Sequence, residues 1–151
     1  MKKKLYLDNC CFNRPFDDQT NIKVKLESDA KLYIQQRIKE QKYSFVWSYI
    51  LDFENSENPF EYRKIAIGLW ESLASDFVEE SKDIIEKAHD FQKSSIKSKD
   101  SLHLACAASA DCDYFITTDY QILNKLKTVG KMKIVNPIEF IDAENEEYED
   151  K

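Results

Sequence analysis

The sequence predicts an α/β fold, a three-layer α/β/α sandwich with a mostly parallel central sheet. Three observations point there. Short apolar runs alternate with amphipathic segments of ten residues or more, the pattern of strands joined by helical crossovers. Only two glycines and three prolines punctuate 151 residues, too few for a fold built on tight β-turns. Acidic residues also stand directly after apolar runs, as they do where parallel strands end along a common edge.

Lys4–Leu7 reads as a buried strand that stops at Asp8. From Asn21 to Glu40 the apolar residues Ile22, Leu26, Ala30, Tyr33, Ile34 and Ile38 recur at helical spacing. Tyr43–Trp47 is a second strand, and Ser48 is placed to cap a helix carrying Asp52, Glu54 and Asn55. Asn58-Pro59 should end that helix. Glu61 to Leu73 (Ile65, Leu69, Trp70, Leu73) and Asp83 to Phe91 (Ile84, Ile85, Ala88, Phe91) are helical by period, with Phe77-Val78 a short extended stretch between them. Asp100 opens an Ala- and Leu-rich helix through Ala110. Tyr114–Thr117 is a strand ending at Thr118-Asp119, followed by a short helix through Leu126. Lys133–Val135 is the last strand, and Pro137 suits the first turn of a closing helix through Ile141.

With 42% hydrophobic and 13% aromatic residues the chain is a folded domain, not a disordered segment. Its net charge of -6 is uneven. Residues 142–151 hold six acids against Lys151, which reads as a solvated, disordered tail outside a domain spanning 1–141. The body is then close to neutral. Asp8 interrupts the N-terminal apolar run after three residues, and no apolar stretch long enough to cross a membrane follows. Cys10, Cys11, Cys106 and Cys112 lack metal-ligand or disulfide spacing, which fits reduced thiols and a cytoplasmic location.

Four acids would converge on the carboxyl edge of such a sheet. Asp8 and Asp119 follow strands, Glu54 lies in the first two turns of the helix after the second strand, and Asp100 opens the helix before the Tyr114 strand. Convergent carboxylates repel one another unless cations neutralise them. Hard divalent ions with oxygen ligands, Mg²⁺ or Mn²⁺, suit such a set, and they activate water for attack on a phosphodiester.

Leu5-Tyr6-Leu7-Asp8-Asn9 resembles the first motif of PIN domains, and Ser48-Tyr49-Ile50-Leu51-Asp52-Phe53-Glu54 their second. Lys99-Asp100-Ser101-Leu102-His103-Leu104-Ala105-Cys106-Ala107 is similar to the third, and Ile116-Thr117-Thr118-Asp119 with Ile122-Leu123 to the fourth. Ile134-Val135-Asn136-Pro137-Ile138-Glu139-Phe140 resembles the family's closing strand and helix. The resemblance implies a Mg²⁺- or Mn²⁺-dependent ribonuclease acting on single-stranded or structured RNA. It implies metal-binding and catalytic roles for Asp8, Glu54, Asp100 and Asp119, with Asn9, Ser48, Thr117 and Thr118 in support. Many members are toxins paired with an antitoxin. Asp8 is followed here by Asn9-Cys10-Cys11 rather than the small hydroxyl residue common there, which leaves open what supports it. The rival reading is a PIN-like binding or scaffold module that does not cleave.

Arg14, Lys97, Lys99, Lys125 and Lys127 flank these acids and are candidate phosphate contacts; the plain alternative is solvated lysines. His103, one turn after Asp100, reads as a packed or hydrogen-bonded side chain rather than a catalytic one. Trp47, Phe53, Trp70 and Phe91 fall on positions expected to pack in the core. Asp52 is the alternative to Glu54, and the Asn21–Glu40 helix offers an apolar face for a homodimer.

Overall fold

A computed structural model describes residues 2–149, with side chains through Asn145. Among these residues one sheet contains β1 (Lys4–Leu7), β2 (Ser44–Ser48), β3 (Asp76–Val78), β4 (Tyr114–Ile116), β5 (Thr128–Val129) and β6 (Met132–Val135). Their order is β3-β2-β1-β4-β6-β5, all parallel except β5, which pairs antiparallel with β6. The helices are α1 (Asn9–Asn13), α2 (Ile22–Lys39), α3 (Tyr49–Ser56), α4 (Glu61–Gly68), α5 (Lys82–Lys93), α6 (Ser98–Ser109), α7 (Tyr120–Leu123) and α8 (Pro137–Glu149). Two 3-10 turns, Arg14–Phe16 and Leu69–Leu73, complete the connections.

Strand alternation assigns the two layers of helices. Tyr6 is paired with Phe115 in the ladder and stacks on it with centroids 5.4 Å apart. Its hydroxyl meets His103 of α6, and Lys4, two residues away on the same face, donates to the Ala110 carbonyl at the end of α6. On the opposite face Tyr114 packs edge-on against Phe140 of α8, and Phe45 against Trp70. The central strands β1, β2 and β4 are buried along nearly their whole length, as both-face coverage requires.

The scarcity of glycine has a counterpart in the helix ends. Helices α2, α5 and α6 each close with the paired backbone bonds of a Schellman motif. Gln41 and Lys42 donate to Ile38 and Arg37, Ser95 and Ile96 to Gln92 and Phe91, and Asp111 and Cys112 to Ala108 and Ala107. Gln41, Ser95 and Asp111 therefore occupy left-handed positions, φ 63°, 67° and 56°, where glycine is the usual residue. Gly130, φ 57°, begins the two-residue turn of the β5–β6 hairpin.

Several boundaries differ from the sequence reading. The two-residue β5 and the five-residue α1 carry too little periodicity to be read in advance. The segment from Glu61 ends as α-helix at Gly68 and tightens into a 3-10 turn. On α2 the inner face is Glu27, Ser28, Ala30, Lys31, Ile34, Gln35 and Ile38, while Ile22, Leu26 and Tyr33 face outward. The polar residues point inward because the Arg14 turn folds onto this helix: Arg14 Nε lies 3.4 Å from buried Glu27, and Lys31 sits over the Phe12 ring. Burial lowers the Lys31 amine to about 7.

The closing helix, expected to end near Ile141, continues to Glu149. Glu144, counted with the solvated acids, is instead tied to Lys3 at 2.6 Å and to the Tyr43 hydroxyl at 3.0 Å. The side chains at 146–149 and residues 150–151 of the expected tail lie outside the described part. Among the described residues no helix is long and apolar enough to cross a membrane.

Candidate active site

The chain reverses its direction of travel across the sheet between β1 and β4. Strands β2 and β3 add on one side of β1, and β4 and β6 on the other. The crevice at the carboxyl ends of the two strands flanking such a switch point is where open α/β sheets bind ligands. Asp8 follows β1 there, and Thr117, Thr118 and Asp119 follow β4; the Asp8 amide still bonds to the Ile116 carbonyl at 2.9 Å.

Asp8 is buried, and both its oxygens are held. Oδ1 accepts from the Asn9 amide at 2.8 Å, so Asp8 caps α1. Oδ2 accepts from Thr117 Oγ1 at 2.8 Å, with the Cys10 thiol at 3.5 Å. Thr117 Oγ1 in turn accepts from the Asp119 amide at 3.0 Å, which locks the two strand-end acids into one hydrogen-bonded unit. The Asn9-Cys10-Cys11 departure thus leaves Asp8 supported from β4. Cys10 joins that support, lying 3.3 Å from Thr117 Oγ1 and accepting from the Thr118 amide at 3.3 Å. Thr118 Oγ1 is buried with no hydrogen-bond partner.

Ser48 ends β2 and its hydroxyl accepts from the Leu51 amide, capping α3. Glu54 lies on that helix turned toward α6, where its Oε1 is 2.5 Å from His103 Nε2. The same nitrogen is 3.7 Å from Asp8 Oδ1. On its other side His103 meets the Tyr6 hydroxyl at 2.6 Å, and Tyr6 meets Ser48 Oγ at 2.7 Å. A buried line therefore runs from Ser48 through Tyr6 and His103 to Glu54 and Asp8. Burial alone would raise the Glu54 carboxyl, but the His103 hydrogen bond and charge, with Lys99 and Asn9 adding to them, hold it below its ordinary value. Burial opposes charge on His103, yet Asp8 and Glu54 together raise its pKa. Asp52, the alternative acid, bonds to Trp47 Nε1 at 2.6 Å and takes no part.

Asp100 is the third residue of α6 rather than its cap, a place held by Lys97. Its carboxyl is pushed up to about 6, first by burial and then by the charges of Asp8 and Asp119, with Glu54 adding to them. Asp119 caps α7 through the Gln121 amide at 2.9 Å. The four acids named from the sequence thus share one electrostatic neighbourhood. Among the described residues, no three His, Cys, Asp or Glu side chains are gathered closely enough to enclose an ion by themselves. The donors facing the crevice are carboxylate oxygens, while both His103 nitrogens are already hydrogen-bonded. That chemistry fits a hard cation retaining waters rather than zinc.

The basic candidates divide. Lys97 and Lys99 are exposed at the start of α6, and Lys127 is exposed after α7. Lys125 donates to the Ser95 carbonyl at 2.5 Å. Arg14, expected as a phosphate contact, is turned instead to Asp17 and Glu27. Phe53, expected in the core, is 48% exposed. Sequence reasoning missed Tyr6, whereas His103, read as packed or hydrogen-bonded, is buried and hydrogen-bonded through both ring nitrogens. The available signal was the His three residues after Asp100, which places both on one face of α6.

No protein-family model matches the chain, and no curated protein matches it in sequence. Among solved structures it is similar to a chain of the crystal structure of VapBC2 from Rickettsia felis bound to a DNA fragment from their promoter. The TM-score is 0.55 at 10% sequence identity, over 87% of this chain and 98% of that one. At that identity the likeness is one of fold, a mostly parallel six-stranded α/β/α sandwich.

Proposed function

We propose that this protein is a divalent-metal-dependent ribonuclease of the PIN type that hydrolyses RNA phosphodiester bonds at the β1–β4 edge. The observation that carries the reading is that four acids from four segments, Asp8, Glu54, Asp100 and Asp119, share the β1–β4 edge, an arrangement that opposes stability unless a cation is shared. Asp8, Glu54, Asp100 and Asp119 are the acids we assign to a Mg²⁺ or Mn²⁺ site, some holding the ion directly and the others through its waters. Because no three such side chains are gathered closely among the described residues, the ion would make one or two direct carboxylate contacts, with waters filling the other positions. When bound, such an ion supplies Lewis-acid stabilisation of phosphate charge and a more acidic water. The chain's own part is orientation: Thr117 and the Asn9 amide fix the Asp8 oxygens, and His103 fixes Glu54.

The alternative, a PIN-like binding module without cleavage, is favoured by one observation. His103 already offers Asp8 and Glu54 a positive partner within the fold. Pure protein with labelled RNA and Mg²⁺ or Mn²⁺, beside an Asp8→Asn control, separates the two. Metal-dependent cleavage absent from the control supports the nuclease; no cleavage by either protein supports the module.

A protein partner completes the proposal. Ile22, Leu26, Leu32 and Tyr33 on α2, and Ile65, Leu69 and Leu73 on α4 and its following turn, are exposed. Such apolar surface suits a protein interface. The PIN resemblance suggests an antitoxin or a second copy, and the fold likeness to a chain of the VapBC2 complex is in keeping with it.

A further inference from the structure

Phe53 immediately precedes Glu54 on α3, and its ring is 48% exposed. A single exposed aromatic is ordinary on its own. Its surroundings are what set this one apart. Lys99 Nζ lies 5.4 Å from the ring centre, and Lys99 sits four residues before His103 on α6, hence on the same helix face. The α3–α6 seam therefore carries two rungs. The inner one is Glu54 with His103, buried at the acidic edge; the outer one is Phe53 with Lys99, open to solvent. Lys99 is also the direct neighbour of Asp100.

We propose that Phe53 and Lys99 form a base-stacking subsite that selects an unpaired nucleotide beside the phosphodiester presented to the acidic edge. This rests on the nuclease reading above and adds a base-binding subsite to it. Stacking of a base on an aromatic ring outweighs an exposed ammonium–ring contact, so an arriving base displaces Lys99 from the ring. The displaced ammonium is then free to meet the backbone phosphate next to that base. A paired base is stacked within its own helix and cannot use the ring, so single strands are preferred over duplexes.

The test uses the full chain and a single-stranded oligoribonucleotide carrying 2-aminopurine, in Ca²⁺ in place of Mg²⁺ so that binding is read by itself. The wild-type protein should quench the probe. Phe53→Ala should abolish the quench and weaken binding by about 5- to 150-fold, the range found when stacking residues are truncated. Phe53→Trp should keep both. An abasic oligonucleotide and a duplex should bind Phe53→Ala and wild type equally, and their melting temperatures should match because the ring is exposed. If Phe53→Ala quenches and binds as the wild type does, while Asp8→Asn still abolishes cleavage, the subsite is wrong and the nuclease reading stands. If the wild-type protein neither binds nor cleaves RNA, both fall.

Discussion

His103 Nε2 lies 2.5 Å from Glu54 Oε1 at the bottom of the α3–α6 seam, and His103 has no solvent exposure. Ionised Glu54 can only accept, so it fixes the proton on Nε2; in the neutral ring Nδ1 then accepts from the Tyr6 hydroxyl. One acid of the candidate site is thereby oriented by a strand in the middle of the sheet.

Replacing His103 by Ala should cost about 3 kcal/mol near pH 6, because it leaves Glu54 without its buried partner. The pH dependence follows from both shifts. The raised His103 contributes stability that is complete below its ordinary 6.5 and fades as pH rises through its folded value. The lowered Glu54 contributes above its ordinary 4.5 and loses that as pH falls through its own. Urea unfolding should therefore show a larger penalty at pH 6 than at pH 9. An equal penalty at both would mean that the loss is packing alone.

Thr117→Val tests the hydroxyl that joins Asp8 to Asp119. The shape is kept, but Asp8 Oδ2 loses its donor and the Asp119 amide its acceptor. Loss of such an orienting bond typically weakens a metal site about 10- to 100-fold. Titration calorimetry with Mn²⁺ should show that weakening. Unchanged Mn²⁺ affinity would remove Thr117 from the supporting set.

The strand ends and their acids were readable because an apolar run stopped by Asp is a local pattern, and β1 begins and ends where that pattern does. The likeness to the second PIN motif favours Glu54 over Asp52, and in the structure Trp47 holds Asp52 by a hydrogen bond. What could not be read depends on partners distant in sequence. The Tyr6–His103 contact spans 97 positions, and the inward turn of Glu27 depends on Arg14 and on Tyr120, which lies 93 positions away. Phe53 was misplaced for a related reason. Its apolar character says core, but its solvent exposure is set by where α6 crosses α3.

The helix ends offer a test of the fold that leaves the site untouched. Gln41 sits left-handed at the end of α2 with both Schellman bonds made. Glycine there avoids the side-chain clash while keeping those bonds, against the larger entropy it loses on folding. Gln41→Gly should raise stability by about 0.5–1 kcal/mol, read as a higher urea midpoint at an unchanged slope. A lower midpoint would show that the Gln41 side chain makes a compensating contact.

Asp100 ties the site to stability most directly. Its carboxyl titrates near 6 in the fold against 3.8 ordinarily, so between those values the native state holds a proton that the unfolded chain has lost. Stability contributed by this group therefore falls as pH rises across that window and stays low above it. In the metal-free protein Asp100→Asn should raise the melting temperature at pH 7.5 and leave it little changed at pH 4, because the amide removes a charge that burial, Asp8 and Asp119 oppose. Millimolar Mn²⁺ should reverse the ranking. Wild type gains by mass action, about 2.7 kcal/mol at a hundredfold excess over the dissociation constant, while Asp100→Asn gains less. A wild-type melting temperature unmoved by Mn²⁺ would leave the crowded carboxylates without the cation that the nuclease reading requires, and would favour the binding module, in which groups of the fold itself, His103 first, offset their charge.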